Sequence, residues 1–585
     1  MRRLINILLV VLALTAAYVY AWPSANVPYF GAIILHMFAG LAFLAVLIFT
    51  LRPILREGPT VSRLSWLLLA LGGILGALLI YTGTRRAEWP LLYAHIGACV
   101  AGCALLVSGW GCRRGILAGP FPAGIIRCAL CVVVAALITA GAWWLRTVPW
   151  QQSHRIQNPA IAPGTMDSEG DGPQGPFFPS SAQTADGQHI PSNYFMESDS
   201  CKRCHEDIYK QWQGSAHHFS SFNNAWYRKS IEYMQDTIGV KPSKWCAGCH
   251  DPALLYSGMF DRPIREVEDT PAGQAGLGCM MCHSISQVKS TMGQGDFFLE
   301  YPTLHKMAAS KNPIVLRLHD FLTELNPEPH RRVFLKPFMR TQTADFCSTC
   351  HKVHLDVPVN HYRWVRGFDD YDNWQASGVS FQGARSFYYP AKGQMCADCH
   401  MPATKSTDAG NVAGMIHSHQ FPAANTALPI ANHDASQLAA TEDFLTKGAI
   451  SVDIFAISPE KNAQKAGGKQ GGAGTAIAPA TMPGLQTTFA VGEEAESSVP
   501  VNSSPDSATP IALLTAPLNR TGAAVRRDNT YRVDVVVRTR KLGHFFPGGT
   551  VDAFDCWVEL TATDDKGNTI FQSGGVADGG KGPVD

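Results

Sequence analysis

Five times the chain reads Cys-x-x-Cys-His: Cys201–His205, Cys246–His250, Cys279–His283, Cys347–His351 and Cys396–His400. Thiols at this spacing (Cys201 with Cys204, Cys246 with Cys249, Cys279 with Cys282, Cys347 with Cys350, Cys396 with Cys399) can bond the two vinyl groups of a haem. The histidine that follows then reaches the iron from one face. A Cys-x-x-Cys pair alone also suits zinc or a redox disulfide. Neither explains a histidine after the second cysteine in every copy. The expectation is five covalent haem c groups, with His205, His250, His283, His351 and His400 as their proximal ligands.

All five motifs fall between residues 201 and 400, so porphyrin must form much of the core there. Short helices and long loops are expected, with little sheet. Each motif should occupy one helical turn, which holds thiols and imidazole on one face. A sixth ligand for each iron must come from elsewhere. Of 20 histidines, thirteen remain after the five in the motifs and two in apolar segments. The expected distal set is His217 in Gly214-Ser215-Ala216-His217, His330 in Pro329-His330-Arg331, His354 in Lys352-Val353-His354, His419 in Ser418-His419-Gln420, and His361. His305 and His319 come next. His544, in Gly543-His544-Phe545-Phe546-Pro547-Gly548-Gly549, reads as a turn residue in preference to a ligand.

Over about residues 196–430 the chain resembles multihaem cytochromes of the cytochrome c-554 type. The likeness rests on Cys201-Lys202-Arg203-Cys204-His205 followed by Ser215-Ala216-His217, on Cys347–His354, and on Cys396–His400 followed by Met401-Pro402. It implies covalent haems packed in close pairs, mostly bis-histidine, serving periplasmic electron transfer. An N-terminal apolar region and a C-terminal extension depart from simple members.

That apolar region has five stretches of spanning length, at about 4–22, 29–50, 64–82, 91–110 and 124–146. The first, beginning Met-Arg-Arg, also has the form of a signal peptide, with Val19-Tyr20-Ala21 as a cleavage site. Arg2, Arg3, Arg52, Arg56, Arg63, Arg113 and Arg114 fall on one side, and Arg85, Arg86 and Arg146 on the other. The positive-inside rule then puts the N-terminus in the cytoplasm and everything after Arg146 outside. The expected location is the cytoplasmic (inner) membrane, multi-pass, with the motifs on the periplasmic side. Haem c maturation needs that same side. Two spans each carry a histidine, His36 and His95. Ionisable groups within a membrane are costly and point to function. At 1.5 Å per residue they lie roughly 10 and 6 Å inside the outer face. They could clamp one haem b, line a quinone pocket, or only form interhelical hydrogen bonds. Cys99, Cys103, Cys112, Cys128 and Cys131, in or beside the spans, read as apolar filling.

The domain reading is a helical transmembrane bundle over 1–146, a linker rich in Pro, Gly and Ser over 147–195, a pentahaem module over 196–445 and a β-rich domain over 446–585. The fold class is therefore multidomain: α-helical bundle, mostly α and irregular cytochrome module, β-sandwich-like C-terminal domain. That last part holds strands near 450–455, 531–537 and 556–562, a hairpin turn at Asp564–Asn568 and a low-complexity insert at 459–510. With few strands before Asp585, the sandwich is expected to be incomplete. Residues 1–150 hold eleven Arg, no Lys and two acids, a net +9; the chain as a whole is +1, leaving −8 for the rest. This balance argues against nucleic acid and suits docking of a cationic redox protein. The expected partners are lipid, quinol and periplasmic redox proteins, with membership of a larger redox complex also open. Electron transfer between the membrane quinone pool and periplasmic acceptors is the leading reading. A catalytic multihaem oxidoreductase acting on a small nitrogen or sulfur compound is the alternative, and a zinc scaffold is a third.

Overall fold

A computed structural model describes residues 2–113, 123–383, 388–459, 514–549 and 556–577. The insert at 459–510 lies almost wholly outside them, as do Arg114 and the last eight residues. The chain divides into two units, one of residues 1–447 with 543–585 and one of 448–542.

The larger unit begins with five long helices: α1 (Arg2–Ala21), α2 (Val27–Glu57), α3 (Thr60–Thr82), α4 (Trp89–Arg113) and α5 (Ala123–Ser153). Among the described residues, α1 to α4 are long and apolar enough to cross a membrane. Their outward faces carry large apolar side chains, such as Phe49 at 74% exposure and Tyr81 at 90%. In water such a face would drive aggregation; against lipid it has no cost. Close packing between α3 and α4 follows from small residues. A Cβ at Gly72 would meet Cys99 Sγ at 2.5 Å, and one at Gly76 would meet the His95 ring at 2.9 Å. Small residues three and four apart let helix backbones approach in lipid. Cys99 is partly buried and Cys103 exposed on the helix surface, so the reading of both as packed filling does not hold for Cys103. The side chains of Cys112, Cys128 and Cys131 lie outside the description.

Residues 154–447 form short helices joined by long loops, with three small sheets. Their main core gathers Tyr194, Phe195, Tyr256, Phe260, Met280, Phe297 and Phe338. Each fully buried aromatic side chain of this size stabilises the fold by about 2–3 kcal/mol. The segment expected as a linker is part of this core. Phe177, Ala182, Ile190 and Tyr194 are all buried in it, and Gln183–Thr184 pairs in parallel with Phe298–Leu299. Its Pro and Gly content resembles a linker, but apolar anchors spaced along it fasten it down.

The bundle and the motif region meet at one end of the helices. Thr84, between α3 and α4, donates from its backbone N to Glu324 O at 3.0 Å and from Oγ1 to Leu325 O at 2.8 Å. Gly83 makes this approach possible: its φ is +76°, and a Cβ would sit 2.5 Å from Glu324 O. Asn326 Nδ2 donates to Tyr29 OH at 2.9 Å. At the end of α5, Arg146 pairs with Glu328 at 3.1 Å. The end that meets the motifs is thus the Arg-poor one.

The smaller unit pairs Ile450–Pro459 antiparallel with Tyr531–Thr539. In the larger unit Leu560–Thr563 and Thr569–Ser573 form the expected hairpin. Its turn is held by Asp564, whose Oδ1 accepts from Lys566 N at 2.9 Å and Asn568 N at 2.7 Å. These are separate two-stranded sheets, and among the described residues they do not form a sandwich. A sandwich needs two multi-stranded faces to bury against each other.

Candidate functional site

Each motif closes on a helical turn. His205 N donates to Cys201 O at 2.9 Å and His351 N to Cys347 O at 3.0 Å. Cys279–His283 and Cys396–His400 are themselves one-turn helices, and Cys246–His250 ends the helix Val240–His250. This turn brings both thiols and the imidazole to one side.

The five motif histidines share one arrangement of Nδ1. That of His205 meets Asp408 Oδ1 at 2.8 Å, and that of His351 faces Asp370 Oδ2 at 3.6 Å. The Nδ1 atoms of His250, His283 and His400 meet the carbonyls of Ser220, Phe334 and Pro422 at 2.7, 2.6 and 2.9 Å. An acceptor at Nδ1 fixes the tautomer that leaves Nε2 free for a metal. Burial alone would lower the pKa of His205 and His351, but Asp408 and Asp370 outweigh it and hold both above the ordinary value. The Nδ1 atoms of His250, His283 and His400 meet carbonyls instead, and burial lowers these three.

Four of these rings face a second histidine. Ring centres are 6.2 Å apart for His205 and His330, 6.4 Å for His283 and His419, 6.3 Å for His351 and His217, and 6.2 Å for His400 and His544. An iron between two imidazoles would set this spacing. Two metal–nitrogen bonds of about 2 Å, with about 1.1 Å from each nitrogen to its ring centre, give roughly 6 Å. Direct contact between rings would bring the centres closer. The residues therefore fit a haem iron held by two histidines. Burial also suits the facing rings to ligation, because it keeps them neutral: the pKa falls to about 3 for His217 and His330 and about 4 for His419.

The local fold explains these positions. His330 lies on the helix Glu328–Phe334, whose last carbonyl also accepts from His283. His419 follows the strand Met415–His417, with its backbone N bound to Gln211 Oε1 at 2.8 Å. His217 is held through its carbonyl, which accepts from Leu277 N at 2.9 Å.

His250 is different. Among the described residues no second histidine faces it at this spacing. Tyr227 stacks on its ring at 4.3 Å and 10°. Tyr227 and Ser221 donate to the neighbouring Asp251, whose carboxyl burial pushes up to about 7.

Two expected distal ligands stand elsewhere. His354 is fully buried, with Nε2 2.8 Å from Glu169 Oε1 and its ring stacked on Trp364. Its strand, Lys352–Leu355, buries the ring against Glu169 and Trp364, and among the described residues it faces no motif histidine. His361 is exposed at φ +54°, ending the helix Val357–Asn360. In their stead His544 faces His400. Its only signal in the sequence is a histidine in a glycine-rich turn. Asp408 and Asp370, far in sequence from the histidines they hold, carry no local signal.

In the bundle, His36 Nδ1 meets Thr15 Oγ1 at 2.9 Å and His95 Nδ1 meets Gly72 O at 2.7 Å. Among the described residues these two rings do not form a facing pair like the four above. Among the described residues, three or more Cys, His, Asp or Glu side chains do not converge as a metal-ion site.

Comparison with protein families matches residues 200–284 to the family described as cytochrome c554 and c-prime. No curated protein and no solved structure matches the chain. The family match supports a c-type cytochrome region with covalent haem and a role in electron transfer.

Proposed function

We propose that this chain is a membrane-anchored pentahaem c-type cytochrome that moves electrons between the membrane quinone pool, or a membrane partner, and periplasmic redox proteins. The observation that carries the reading is the set of four histidine pairs at 6.2–6.4 Å, each containing one motif histidine. A bound haem supplies a one-electron centre whose potential its ligands tune. The chain's own residues hold it covalently through two thiols, fix the imidazole tautomer from Nδ1, and exclude water by burial. The carboxylates of Asp408 and Asp370 make His205 and His351 stronger donors than the carbonyl-bound histidines, which favours the oxidised state at those two motifs.

The placement of the motifs supports a continuous route. The thiol of Cys201 lies close enough to that of Cys279 for each to shift the other, as does Cys249 to Cys350 and Cys347 to Cys396. Cys282 lies close enough to Cys350 to sense its charge. The motifs are therefore neighbours in the order first, third, fourth, fifth, with the second beside the fourth. The first stands at the bundle. Its facing histidine, His330, rides on the helix bound to Arg146 through Glu328. The loop of Asp408, which holds its proximal histidine, bonds to Arg86 through Asn411 O at 2.7 Å. This junction, on the Arg-poor end of the bundle, supports a periplasmic module that exchanges electrons with the inner membrane. Purified protein should retain five haems per chain after denaturation, by pyridine haemochrome. A periplasmic reporter fused after Arg146 should be active and a cytoplasmic one inactive. Extractable haem, zinc in its place, or the reverse reporter pattern refutes the reading.

The second reading, a catalytic oxidoreductase for a small nitrogen or sulfur compound, is favoured by one observation. Among the described residues no histidine faces His250, so its motif is suited to an open coordination position. A native high-spin signal that shifts on adding nitrite, hydroxylamine or sulfite supports catalysis there. A wholly low-spin protein, silent to all three, supports transfer alone.

A further inference from the structure

We infer that His544 is the sixth ligand of the haem carried by Cys396 and Cys399, so that the C-terminal segment completes the fifth redox centre. The inference rests on the reading of Cys396–His400 as a haem site. It assigns the ligand to a stretch well outside the region matched to the cytochrome family.

The ring spacing matches that of the other three pairs, and the near-parallel planes match two of them. The His400 and His544 ring centres are 6.2 Å apart and their planes differ by 12°. Both Nδ1 atoms are engaged: His400 with Pro422 O at 2.9 Å and His544 with Phe545 O at 2.8 Å. With Nδ1 engaged, each ring is left with Nε2 as its metal-binding nitrogen, as a haem iron requires.

The loop that carries His544 is seated by contacts of its own. Gly549 N donates to Asp370 Oδ1 at 3.3 Å. A Cβ at Gly543 would lie 3.1 Å from Trp374 Cδ1, and one at Gly548 would lie 2.9 Å from Asp370 Oδ1 and 3.0 Å from the His544 ring. Glycine at 543 and 548 lets the backbone come this close. Asp370 also faces His351 Nδ1. One carboxylate thus anchors the loop of the fifth motif's distal histidine and supports the fourth motif's proximal histidine. An ordinary surface histidine shows none of this; His361 is exposed and faces no motif ring.

The test uses the full-length protein with His544→Gly, His544→Met and, as a control, His361→Ala. The glycine variant should keep five haems by pyridine haemochrome and gain one haem per chain that is high-spin and binds carbon monoxide. Added imidazole should return that haem to low spin. The methionine variant should stay low-spin with a new sulfur-to-iron absorption band. His361→Ala should match the parent. Five haems in the glycine variant with carbon monoxide binding unchanged from the parent overturn the inference. If the glycine variant fails to load haem, the methionine variant decides, and a spectrum identical to the parent's overturns it. Fewer than five haems in the parent refutes the underlying haem reading itself.

Discussion

Ring orientation distinguishes the four histidine pairs. In three the planes are nearly parallel, at 17°, 23° and 12°, whereas His217 and His351 stand at 76°. Parallel imidazoles donate into the same iron d orbital and split the pair of π-type orbitals. Crossed imidazoles donate into both and leave them nearly degenerate. Paramagnetic resonance of the oxidised protein should therefore show rhombic low-spin signals together with one highly anisotropic signal. His217→Ala should remove the anisotropic signal alone; its persistence would mean that His217 and His351 do not share an iron. Backbone shape matters as much at this site. Gly276 has φ +61°, and a Cβ there would fall 1.8 Å from His218 O. Gly276→Ala should cost about 2 kcal/mol or more, read as a lower unfolding midpoint, and should disturb the same signal by shifting His217.

At the scale of elements, the contact between α3 and α4 places His95 against the Gly76 backbone, while α2 carries His36 beside Thr15 of α1. Both histidines satisfy Nδ1 inside the bundle. They do not face each other as the four paired rings do, which favours a quinol hydroxyl over a clamped haem b as their partner. His36→Ala and His95→Ala should slow reduction by a quinol analogue at least tenfold, with dithionite still reducing every c-haem. Normal quinol-driven reduction in both variants would show the bundle to be an anchor only. Difference spectra should show no haem b in the parent.

For the molecule as a whole, the junction between bundle and motif region turns on Glu328. It pairs with Arg146 of α5 and with Arg331 and Arg332 of its own helix, while Arg332 donates to Arg146 O at 2.6 Å and lies over Trp150. Glu328 is mostly buried, at 15% side-chain exposure. Removing it leaves three guanidinium groups uncompensated, a loss of about 3 kcal/mol. Glu328→Ala should therefore lower thermal stability and slow quinol-driven reduction, because the helix of His330 loses its seat against the bundle. An unchanged unfolding midpoint would show that the Tyr29 and Thr84 contacts suffice.

Local chemistry was legible in the linear chain, because covalent attachment and helical turns act over a few residues. The five motifs, their helical turns, four of the five apolar spans and the hairpin at Asp564 follow from neighbours in sequence. So did His217, His330 and His419 as candidates, since each stands in a short recognisable pattern. Partnership across the chain was not legible. His354 has as good a local pattern as the others, yet its strand carries it to Glu169, and His544 arrives at His400 from 144 residues away in sequence. The segment 147–195 has the composition of a linker, but Phe177 and Tyr194 find a core there. An axial ligand, a charge partner or a core contact is chosen by which surfaces burial brings together, and only the tertiary structure determines that.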